Sequence, residues 1–140
     1  MLKLNLQKEP YWLKLAPGVR ARVRPLNTAI MSAAQAQVIK EMLGIREERQ
    51  RRLDVNADTA DLPDIDNEAT RLGLSESLLI KALARASIIE WEGVLAPDSD
   101  ALAPVADHTV NDVMDIWFVA QEFWKRYTST LALLETEGNG

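Results

Sequence analysis

Residues 86–104 read ASIIEWEGVLAPDSDALAP: an apolar run that ends on Trp91 between Glu90 and Glu92 and then meets Gly93-Val94. Its conformation decides the fold, because two carboxylates beside an indole suit a catalytic pair, a partner-binding knob or a helix end. Upstream, Leu78, Leu79, Ile80, Ala82, Leu83, Ala84, Ala86, Ile88 and Ile89 cover most of a helical circumference, which predicts a central buried helix over 67–92. Gly93 then takes the left-handed position after the helix, with Val94 and Ile89 as the pair that touch in a Schellman ending, and Pro97 prevents resumption. On such a helix Glu90 and Glu92 lie about 200° apart and cannot converge on one substrate atom. Each also has the wrong sign for a helix C-terminus, at a cost of roughly 0.3–1 kcal/mol, so a compensating cation is expected. Arg20, Arg22 and Arg24 are the candidate donors, and the expected pairing joins Glu90 or Glu92 to one of them.

Those arginines belong to a predicted β-hairpin over 11–25. Val19, Ala21 and Val23 alternate with Arg20, Arg22 and Arg24, Pro17-Gly18 supplies the turn, and Pro25 ends the second strand. A helix over 28–53 follows, capped by Asn27 or Thr28, with Met31, Ala34, Val38, Met42 and Ile45 at helical spacing. Residues 54–66 read as an acidic linker. Asp54, Asn56 and Asp58 mimic the start of a calcium loop, yet Thr59 stands where the turn needs glycine and Ile65 where a bidentate glutamate belongs. A third helix is expected over 109–134, capped by Thr109, with Asp112 in the capping-box position. Along it Val110, Val113, Trp117, Ala120, Trp124, Tyr127, Leu131 and Leu134 form a seam of alternating three- and four-residue steps. The expected class is therefore mainly α, a single domain over 1–140, with an N-terminal β-hairpin followed by three main helices.

Composition narrows the function. The 140 residues contain no cysteine, which excludes disulfides and thiolate chemistry, and the only histidine, His108, sits at the mouth of the third helix without a catalytic or metal motif. There is no Gly-rich phosphate loop. The expectation is a non-enzyme with no catalytic residue, no cofactor and no metal. No apolar run approaches the ~18 residues of a membrane span, so neither a membrane nor an export signal is expected. The net charge of -5 is polarised: residues 1–53 hold eleven basic and four acidic side chains, and residues 54–140 hold five and seventeen. An acidic total disfavours nucleic acid, although Tyr11 and Trp12 beside the arginine face are of a type that stacks on bases. A basic half suits folding against an acidic half, or steering copies of the chain together.

Several stretches resemble the tail assembly chaperones of long-tailed bacteriophages, prophages and gene transfer agents. They are YWLKLAPGVRARVRPLNTAIMSAA, LIKALARASIIEWEGV, the loop ending LAPVADHTV, the helix VNDVMDIWFVAQEFWKRYTSTLALLE, and the tail ETEGNG. The resemblance implies a host-cytoplasm protein that coats the tape measure protein, recruits tail tube subunits and is absent from the finished virion. It also implies a longer frameshifted form. Partner-binding residues would come from Arg20, Arg22, Arg24, Glu90, Trp91, Glu92, Trp117, Trp124 and Tyr127, and self-association is expected. The alternatives are a structural head–tail connector or tail-completion protein that stays in the virion, and a small bacterial adaptor or regulatory module.

Overall fold

The computed structural model describes residue 4 and residues 7–129. The hairpin forms as its alternation requires, with β1 (Tyr11–Ala16) and β2 (Val19–Val23) antiparallel around Pro17-Gly18, where Gly18 holds φ +75°. Leu13, Leu15, Ala21 and Val23 face the core, leaving Trp12, Lys14, Arg20 and Arg22 on the opposite face. Helix α1 (Thr28–Asp54) starts under Asn27, whose side chain accepts the Ile30 amide at 2.9 Å. Its buried residues are Ala34 and Val38.

The expected helix over 67–92 is two elements. Asn67 caps α2 (Glu68–Ser87), and the chain then passes without a loop into strand β3 (Ile88–Glu92), which pairs antiparallel with β2. The sheet order is β1-β2-β3. Ile88 and Ile89 are β-branched and Glu90-Trp91-Glu92 alternates, so these five residues suit a pleated ribbon better than a helical last turn. The Schellman ending is accordingly absent. Gly93 does hold φ +82°, but at the end of a strand, and a Cβ built there would lie 1.9 Å from the Gly18 carbonyl oxygen. The sheet thus makes a close backbone approach between β3 and the hairpin turn.

The acidic linker is not a solvated tether. Ile65 is buried within it, while Arg49 of α1 pairs with Asp64 and Asp66, and Arg52 pairs with Asp61. The basic end of α1 therefore holds the acidic segment back against itself, as the polarised charge allows.

The expected helix over 109–134 is also divided. α3 (Asp107–Met114) and α4 (Trp117–Tyr127) are separated at Asp115–Ile116, and 130–134, with Leu131 and Leu134, lies outside the described residues. Thr109 is not the N-cap. The helix begins after Ala106, and Thr109, in the first turn, accepts the Ala106 amide through its hydroxyl at 2.9 Å and donates to the Pro104 carbonyl at 2.6 Å. The break rotates the buried stripe: Val110, Val113 and Met114 are buried on α3, then Val119, Ala120, Phe123 and Tyr127 on α4. The expected seam is broken, and Trp117 leaves it for solvent. α2 packs between α1 and α3, and α4 packs against β1. Among the described residues, four helices and a three-stranded antiparallel sheet make the architecture α+β, a correction of the mainly α class, with the N-terminal hairpin as expected.

Tyr127 ties the end of α4 to the sheet. It is fully buried, stacks on Phe123 with ring centroids 5.1 Å apart, and donates its hydroxyl to the Arg24 carbonyl at 2.8 Å. Desolvation pushes its phenol up to about 12 from the ordinary 10, against a smaller opposing pull from the Ser87 hydroxyl. The folded state thus holds the proton that the unfolded chain releases first. Stability from this group is complete below pH 10 and is lost as pH rises toward 12, by about 2–3 kcal/mol. Urea midpoints measured from pH 8 to 12 are expected to show this alkaline loss, and Tyr127→Phe is expected to lack it. Equal losses in both proteins would count against the phenol as the source.

Candidate protein-interaction site

The outer face of the sheet is a cross-strand charge ladder. Register places Arg20 opposite Glu92, Arg22 opposite Glu90, and Ala21 opposite Trp91. Arg20 donates Nε to Glu92 Oε2 at 2.7 Å and Nη2 to Glu92 Oε1 at 2.9 Å, a bidentate fork, while Arg22 Nη1 reaches Glu90 Oε1 at 3.5 Å. The expected pairing of the glutamates with hairpin arginines is present, and it arises because 88–92 is a strand. Residues two apart share one face of a strand, which corrects the opposite-side geometry expected for a helix. Arg24 takes a different partner, donating to the Ala86 carbonyl at 3.1 Å. The Arg20 guanidinium also lies 4.1 Å from the centroid of the Trp12 ring.

This ladder is occupied internally. The hydrogen bond from Arg20 holds the Glu92 carboxyl below its ordinary range, with the cation's charge adding to it, so Glu92 is a fixed carboxylate and no proton donor near neutrality. Arg20 and Arg22, engaged with carboxylates, are poorly placed to hold phosphates. Asp107, His108 and Asp112 are all exposed on α3, and among the described residues no three His, Asp or Glu side chains gather to hold a metal ion.

The aromatic candidates separate by burial. Trp91 is 3% exposed and donates its indole N–H to the Ala103 carbonyl at 2.8 Å, anchoring the segment after β3 under the sheet. Tyr127 is core and Trp124 half-buried against it. These three are not available as partner anchors in the way expected. Trp117 is: it is 73% exposed, and its neighbours Phe118, at 60%, and Ile116 are exposed with it. Sequence spacing assigned Trp117 to the seam because the Asp115–Ile116 break carries neither glycine nor proline to mark it.

A second apolar surface was not among the sequence candidates. Val38, Ile39, Met42 and Leu43 of α1 and Leu72 of α2 line an open groove of about 410 Å³, with Arg46 and Arg71 at its rim. Ile39, Leu43 and Leu72 are exposed. Its signal in the sequence was the Ile39/Leu43 pair lying beside the Val38/Met42 pair, a stripe wider than one neighbouring helix covers.

Comparison with protein-family models, with curated proteins and with solved structures found no match. No helix among the described residues is long and apolar enough to cross a membrane.

Proposed function

We infer that this chain is a non-enzymatic tail assembly chaperone of a long-tailed phage, prophage or gene transfer agent. In that role it binds the tape measure protein and recruits tail tube subunits in the host bacterial cytoplasm. The observation that carries this reading is the groove between α1 and α2, whose exposed Ile39, Leu43 and Leu72 offer apolar contact beneath two rim arginines. An amphipathic helix laid in such a groove buries its apolar stripe and places acidic flanking residues beside Arg46 and Arg71, with no catalytic group needed. The resemblance of the VRARV, SIIEWEGV and aromatic-helix stretches to the chaperone family points the same way.

Co-expression with the cognate tape measure protein tests the reading. The wild-type chain is expected to raise the tape measure's soluble fraction and to co-purify with it, and Leu43→Glu with Leu72→Glu to abolish both effects while keeping the far-ultraviolet circular dichroism spectrum. A tape measure protein equally insoluble with and without the chain would overturn the reading. Mass spectrometry of purified particles separates it from a connector or completion protein, which would be present in the virion.

A further inference from the structure

The break between α3 and α4 sets Ile116, Trp117 and Phe118 in solvent between two clefts. Trp117 borders one lined by Ile80, Met114 and Ala120, with Glu76 and Asp115 at its rim. Phe118 borders the other, against Leu15, Ala16 and Pro17, with Lys14, Glu122 and Arg126 at its rim. Three of these rim charges are matched within the chain: Asp115 pairs with Lys81 at 2.6 Å, and Glu122 and Arg126 pair with each other. That leaves one free carboxylate on the Trp117 side and one free ammonium on the Phe118 side. Among the described residues neither Glu76 nor Lys14 has an ion-pair partner.

An apolar centre with opposite free charges on its two flanks is complementary to itself after a half-turn. We propose that this face is covered by a second copy of the chain, as an isologous two-fold dimer centred on Trp117 and Phe118. Each protomer's Glu76 then faces the partner's Lys14, and the aromatic rings of each cover the clefts of the other. A foreign helix has no need of this antisymmetric rim, whereas a two-fold contact sets each flank against the opposite flank of its copy and so satisfies both free charges, and two-fold dimers are the commonest closed assembly. Exposed aromatics at the centre of a contact supply most of its energy, with the charge pairs at the edge setting orientation. The α1–α2 groove lies on the other flank of α2 and stays open, so the dimer would present two partner grooves at once. It does not rest on the chaperone reading.

Sedimentation velocity of the full chain over a range of concentrations tests the proposal. The wild type is expected to pass from monomer to dimer, and Trp117→Asp to weaken the dimer by at least roughly 30-fold, the equivalent of a 2 kcal/mol central anchor. Because Trp117 is mostly in solvent, its circular dichroism spectrum and thermal midpoint at monomeric concentrations should match the wild type. Lys14→Glu and Glu76→Lys are each expected to weaken the dimer at low salt, and the two combined in one chain to restore it. A wild type that stays monomeric, a dimer that survives Trp117→Asp, or a combined charge swap no tighter than either single change would each overturn the proposal. Loss of tape measure binding in Trp117→Asp from a chain that never dimerises would assign the face to that partner instead. A failure confined to Leu43→Glu with Leu72→Glu, with the dimer intact, would bear only on the groove.

Discussion

Trp91→Ala is expected to remove about 3–5 kcal/mol of stability through lost packing alone. A further ~1–3 kcal/mol follows from the Ala103 carbonyl, which loses the indole N–H that satisfies it. Domains of ordinary stability have only 5–15 kcal/mol in all, so the variant should be partly unfolded near 37 °C. The cause is positional. Trp91 stands opposite Ala21 on the buried face of the sheet, and its small partner leaves room for the indole to reach across to the segment that leads into α3. Trp91→Phe keeps most of the apolar volume and loses the donor, so it should show mainly the hydrogen-bond part of the deficit. Urea denaturation of the three proteins separates the contributions. An alanine variant within 1 kcal/mol of wild type would mean that the indole is not the anchor of residues 93–103.

Gly93→Ala should be comparably damaging for a different reason. An L-residue at φ +82° costs about 1–2 kcal/mol on its own. The added methyl would also sit 1.9 Å from the Gly18 carbonyl oxygen and 3.2 Å from Val19 Cα, backbone atoms that yield only if the end of β3 parts from the hairpin turn. The combined cost is expected to exceed about 3 kcal/mol and to break the Arg20–Glu92 fork next to it. Gly18→Ala provides the control. Gly18 holds a similar φ of +75° but faces open space, so it should show the conformational cost without the collision. Denaturation midpoints that fall equally for the two variants would contradict the close approach.

Local chemistry carried much of the fold. The alternation of Val19, Ala21 and Val23 with arginines gave the hairpin, and Asn27 with its helical stripe gave α1 to within a residue of its end. The errors sit where one element meets another without punctuation. Ser87 passes to Ile88 with no glycine, proline or loop, and the apolar residues of α2 continue into β3, so a continuous helix and a helix-strand junction have nearly the same composition. What distinguishes them is a long-range match: Glu-Trp-Glu in β3 is the charge complement of Arg-Ala-Arg in β2. The same holds at Asp115–Ile116, where tertiary packing ends one helix and starts another while the three- and four-residue spacing runs on. Of the candidate residues, Glu90 and Glu92 were matched to hairpin arginines from the wrong local structure, Arg22 and Arg20 taking them while Arg24 does not. Trp117 was singled out as part of a stripe that the break at Asp115–Ile116 divides, and its ring stands in solvent instead.

The β2–β3 pairing joins Arg20 to Glu92 across 72 positions of chain. At about 5–20 residues per second, several seconds of translation separate the emergence of these two strands from the ribosome. Throughout that interval β2 is an edge with free backbone donors and acceptors, a surface on which another nascent hairpin would otherwise zip up. Its arginine-bearing alternate positions repel an identical strand and attract one bearing carboxylates at the same spacing. The ladder thus acts as an address that keeps the site reserved for the chain's own late-arriving strand.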